Sequence, residues 1–304
     1  MVKELIEQFW PVFLGWFATH KPPHDTFFVD DSHLKTGRKH GSFPHTQTII
    51  NCPFFTMKTK YVLEICTSTY TAALAASRAG ADRVELCSGL REGGLTPSAG
   101  MIREVIKLPH VRKNILIRPR GGDFLYSPEE INIMKEDVLM AKDCGAHGVV
   151  LGALRADGHV DMDAMNALMK AAEGMEVTFH RAFDMCCNPE LALEDIIKLG
   201  CRRILTSGQA PKATMATRKL RALVEQAAGR IVVMPGCGVN EENARKILEE
   251  TGATEIHASA SSIHESKMNY RNPNVCMGND GTDEFSIYES DERKISNILK
   301  ALND

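Results

Sequence analysis

The residues able to do chemistry sit at the ends of short apolar runs. Glu64 and Cys66 lie in Tyr61–Cys66, and Glu85 and Cys87 in Arg83–Cys87. Arg118 closes Asn114–Arg118, His180 closes Val177–His180, and His257 lies in Glu255–Ala258. Carboxylates and imidazoles move protons. Guanidinium groups clamp carboxylate or phosphate, and thiolates take soft metal ions. Strand side chains alternate between two faces. On that rule Glu64 shares a face with Cys66, Glu85 with Cys87, Arg118 with Leu116 and Arg120, His180 with Thr178, and His257 with Ser259. Leu63, Ile65, Val84 and Leu86 take the opposite face.

The apolar face must meet a helical layer, so the polar face is expected to line an interior. Glu64, Glu85, Arg118 and His180 would then converge with His257, and would be the catalytic set if the protein is an enzyme. A buried carboxylate needs a partner. The two glutamates should therefore pair with Arg118 or a histidine, or share protons. An inward salt-bridge network is the plainer reading. Five polar groups at matching strand ends favour a pocket. Arg120, Gly236, Gly238, Ser259 and His257 would bind a small anionic ligand, such as a phosphorylated substrate. Tight turning is the alternative role for the glycines. Cys66 and Cys87 end adjacent strands, about 4.8 Å apart. They could clamp Cu(I) or serve as small buried hydrophobes, and spacing alone favours the second.

These residues need a scaffold, and the chain from Tyr61 onward supplies one. Strand-like runs also occur at Gly148–Leu151, Arg203–Thr206 and Ile231–Met234, making eight in all. Helical patterns separate them: Thr71–Arg78, Pro128–Lys142 after Ser127, Pro189–Leu199 after Asn188 and Glu241–Thr251 after Asn240. Capping residues open these helices and glycines close them. Alternating units of this kind imply a parallel sheet. Eight even units favour a closed (β/α)8 TIM barrel over an open doubly wound sheet.

Composition narrows the class. The charge is −3 and 43% of residues are hydrophobic, so neither nucleic acid nor an anionic membrane is an expected partner. Nine cysteines, without Cys-x-x-Cys spacing, read as free thiols of a reducing compartment. Residues 1–56 form an irregular extension, and Met57–Asp304 forms one barrel of about 250 residues. The apolar run Phe9–Ala18 contains Pro11 and Gly15 and is too short to span a bilayer. His20, His24, His33, His40 and His45 are too unevenly spaced to favour a metal site. The extension is expected to be dispensable for folding.

Several segments resemble the CutC copper homeostasis family: Glu64-Ile65-Cys66, Ala81–Leu90, Glu92–Ser98, Ile117–Phe124, Thr178–Asp184, Leu205–Gly208 and Met234–Gly238. The match runs in order from about Val62 to Met277. The resemblance implies a TIM barrel in the cytoplasm or nucleus, assembled as a homodimer or homotetramer. It implies copper handling, with Cu(I) held by Cys66 and Cys87. Cys237 stands where the family pattern suggests glycine, which puts a third thiol near the barrel mouth.

Overall fold

The computed structural model describes residues 61–272, 274–275, 277 and 283–304. The extension and its histidines lie outside the described residues, as do Cys52 and Cys276. From Tyr61 onward the described residues form one compact unit. Its strands are β1 (Val62–Thr67), β2 (Arg83–Leu86), β3 (Arg112–Leu116), β4 (Gly148–Leu151), β5 (Glu176–Phe179), β6 (Arg203–Thr206), β7 (Val232–Pro235) and β8 (Glu255–Ala258). They form one parallel sheet in the order β7-β6-β5-β4-β3-β2-β1-β8. Contact between β7 and β8 brings the barrel nearly to closure.

The intervening helices are α1 (Tyr70–Ala79), α2 (Ala99–Ile106), α3 (Pro128–Asp143), α4 (Met162–Ala171), α5 (Pro189–Leu199), α6 (Thr217–Ala227) and α7 (Ala244–Thr251). Local chemistry sets their ends. Ser127 and Glu130 form a capping box at the start of α3, with Pro128 in the first turn. Asn188 caps α5, and Gly200 ends it in the left-handed region at φ 81°.

The chain departs from even repetition after β8. A hairpin of β9 (Ser261–Glu265) and β10 (Ser286–Ser290) precedes the last helix, α8 (Glu292–Asn303). Ser261 and Ser262 therefore belong to a strand. The helix expected to begin at Glu241 begins at Ala244. The Asn240 side chain accepts from the backbone N–H groups of Glu242 and Asn243, holding a turn there instead.

Two cores result from strand alternation. Leu63, Ile65, Val84, Leu86, Ile115 and Val149 belong to a continuous core with helical residues such as Ile102, Met134 and Val138. Cys66, Cys87, Leu116 and Val150 form a separate small cluster inside the barrel. Burial of the first set is the principal stabilising contribution, at about 25 cal/mol per Å² of apolar surface removed from water.

Among the described residues, no helix is long and apolar enough to cross a membrane.

Candidate functional site

The interior is charged from its base upward. Arg83 binds Glu64 through Nε, and its Nη2 lies 2.5 Å from Glu255. Arg203 lies 3.0 Å from Glu255 and 2.9 Å from Glu176, and donates to the Thr178 hydroxyl at 3.2 Å. Arg83 and Arg203 thus each meet two carboxylates, which offset the cost of their desolvation. Sequence reasoning did not single out Arg83, Arg203, Glu176 or Glu255. Their signal was available: Arg83 has the parity of Glu85, and Glu255 that of His257.

His257 sits above this base. Its Nδ1 lies 2.8 Å from Glu64 Oε1, and its Nε2 lies 3.7 Å from Glu85 Oε2. Burial raises the Glu64 pKa, but Arg83 and His257 prevail and hold it at about 2. Burial also opposes charge on His257. Glu85, Cys66 and Glu64 outweigh that effect and keep the ring protonated well above its ordinary range. Burial pushes Glu85 upward against the pull of His257.

Cys66 adjoins the imidazole, and Cys87 adjoins Cys66. Cys66 Sγ and Cys87 Sγ are 3.8 Å apart. The bond to Cys87, burial and the Glu85 charge raise the Cys66 pKa well above the thiol range. Ligand atoms of Cys66, Glu85 and His257 all lie within 4.8 Å of one another. Cys66 also opens onto a cleft of about 880 Å³, whose walls include Ser68, Leu90, Ser259, Tyr288 and Ser290. Ser290 Oγ donates to the Cys66 carbonyl at 3.0 Å, tying the hairpin to this strand end.

The expected convergence is only partial. Arg118 meets neither glutamate. Its Nη1 donates to the carbonyls of Glu92 and Gly94, and its Nη2 to that of Gly122, at 2.7–2.8 Å. His180 accepts the Ala182 N–H on Nδ1 at 3.2 Å, and its ring lies 4.9 Å from Phe124. The glutamates are already satisfied by Arg83 and His257, which removes their need for Arg118. Arg120 departs further, pairing with Glu130 at 2.5 Å and Asp123 at 3.0 Å on the rim. Strand alternation ends with β3 at Leu116, so it cannot carry Arg120 onto the same face.

The glycine loop is tightly packed. A Cβ on Gly236 would lie 2.5 Å from Leu205 Cδ1 and 3.3 Å from His257 Cβ. Gly238, at φ 74°, packs on the Lys212 stem. Cys237 adopts φ 77° and donates its Sγ to the Pro211 carbonyl at 3.1 Å. Ser259 is exposed on the cleft, 3.3 Å from the Ser261 hydroxyl.

The arrangement defines a β/α barrel with a thiol–carboxylate–imidazole cluster inside its mouth. The chain belongs to the CutC family, whose sequence model matches residues 61–262. It is 49% identical over 247 residues to a CutC family protein of Bacteroides thetaiotaomicron, covering 80% of this chain and 98% of the relative. It is 46% identical over 239 residues to the copper homeostasis protein cutC homolog of Homo sapiens, covering 78% and 88%. A CutC crystal structure from Streptococcus agalactiae superposes with a TM-score of 0.64 at 35% identity, covering 66% of this chain and 98% of that one.

Proposed function

We propose that this protein takes Cu(I) as cargo on the thiolates of Cys66 and Cys87. The observation that carries the reading is the pair of sulfurs 3.8 Å apart, with Cys66 at the wall of an open cleft and Cys87 buried behind it. Metal–thiolate bonds of about 2.3 Å can bridge that gap in a bent arrangement. Soft sulfur ligands select Cu(I) over harder cations.

The surroundings fit the charge change. Two thiolates and one Cu(I) carry a net charge of −1, and the protonated His257 beside Cys66 opposes it. Glu64 and Glu85 hold that cation in place. The copper role of the human relative, as its name states it, supports the same reading. The free thiols suit a reducing cytoplasm or nucleus, and the family resemblance supports a dimeric or tetrameric assembly.

Anaerobic Cu(I) titration of the full chain tests the proposal. The Cys66→Ala/Cys87→Ala variant should lose one tight equivalent. Unchanged stoichiometry and affinity would overturn the assignment.

A second reading rests on the Glu64–His257–Glu85 array, which has the parts of an acid–base relay. In that reading the barrel is a metal-independent enzyme, and Glu85 exchanges the proton. Turnover that persists in the double cysteine variant and is lost in Glu85→Gln would favour it.

A further inference from the structure

We propose that the barrel mouth holds a second ligand site, for a small oxyanion, formed by Arg118, His180 and Tyr126 around Phe124. It rests on neither reading of the sulfur cluster and shares no residue with that cluster.

Arg118 carries the argument. It is 5% exposed, and its hydrogen bonds go to neutral backbone carbonyls. Among the described residues no carboxylate pairs with it, whereas Arg83 and Arg203 each meet two. A buried charge without a counter-ion is costly. Its Nε–H is also buried without an acceptor.

His180 adds a second free donor. Its Nδ1 accepts a backbone N–H, so that nitrogen carries no hydrogen. Burial and the Arg118 charge lower the pKa to about 3, leaving the ring neutral. The hydrogen of a neutral ring must then sit on Nε2. That atom is buried and has no partner. Burial pushes the Tyr126 pKa up to about 12 against the pull of the adjacent Arg118, and its buried hydroxyl makes no well-formed hydrogen bond.

These three groups are donors, and one is a cation. Their natural complement is an acceptor-only anion, either a carboxylate or a phosphate monoester. Phe124 provides an apolar wall, with its ring 5.1 Å from Arg118 Cζ and 4.9 Å from the His180 ring centroid. The Gly122 carbonyl, at a residue with φ 84°, accepts from Arg118 Nη2. A buried, apolar setting strengthens charge-assisted hydrogen bonds.

Calorimetric titration of the full chain with inorganic phosphate, and separately with acetate, tests the site. Saturable 1:1 binding of either anion is expected, and the one that binds more tightly identifies the class. Tyr126→Phe and His180→Gln should each weaken binding by about ten- to a hundredfold, the loss of one hydrogen bond to a charged group. Arg118→Gln should abolish binding, and Cys66→Ala/Cys87→Ala should leave it unchanged. Because Arg118 also ties loops together, the Tyr126→Phe result decides if Arg118→Gln does not fold. Absence of saturable binding of both anions to the wild-type chain would overturn the proposal. So would equal affinity in wild type, Tyr126→Phe and His180→Gln.

Discussion

His257 Nδ1 on β8 lies 2.8 Å from Glu64 Oε1 on β1, joining the last barrel strand to the first at a point of paired register. The same carboxylate binds Arg83 on β2. Glu64 is wholly buried, so one side chain compensates two interior cations and ties three strands. The barrel seam and the candidate site therefore share a residue, and changes to one will be felt by the other.

Glu64→Gln should destabilise the fold by about 3–5 kcal/mol, because Arg83 and His257 lose the charge that offsets their burial. The pH dependence follows from the direction of its shift. The carboxyl titrates at about 2 in the fold against 4.5 ordinarily. Its contribution is present above pH 4.5 and is lost as pH falls toward 2. Urea unfolding at pH 7 and at pH 3 should show the variant's deficit shrinking at the lower pH. An equal deficit at both would contradict the pairing.

Cu(I) affinity should rise with pH. Cys66 is held protonated well above the thiol range by its bond to Cys87, by burial and by Glu85. Metal binding must displace that proton. Competition titrations at pH 6, 7 and 8 should show about a tenfold gain per pH unit for each proton released. A flat profile would mean that Cys66 is not a ligand.

Gly236→Ala should lower stability by about 1–3 kcal/mol through overpacking. The added methyl would meet Leu205 at 2.5 Å and crowd His257. A thermal melt records the loss, and a shifted His257 resonance in NMR spectra would locate it. A variant as stable as wild type would return this glycine to a role in turning the loop.

Arg120→Ala should cost no more than about 1 kcal/mol, since its ion pairs are partly exposed. Cu(I) stoichiometry and phosphate affinity should both survive. Its neighbour Arg118 differs in burial and in lacking a carboxylate, so Arg118→Gln should show a larger loss of phosphate binding. Equal effects at the two positions would show that the rim, and not the interior, binds the anion.

Much of this was legible in the residues themselves. Alternation separated Leu63 and Ile65 from Glu64 and Cys66, and the Ser127 and Asn188 caps marked helix starts near their observed positions. These features are local, set by backbone geometry and by hydrogen bonds to neighbouring residues. The β9–β10 hairpin was less visible, because its strands are separated in sequence and largely exposed.

Which charges meet was decided only when the strands curved into a barrel. Parity places Glu64, Glu85, His180 and His257 on an inner face, but it does not choose partners across that interior. Tertiary packing gave Glu64 to Arg83 and His257, left Arg118 among backbone carbonyls, and set Cys66 beside Cys87. The face of a side chain follows from its own strand, whereas its partner depends on strands distant in sequence and on how far each barrel layer is rotated.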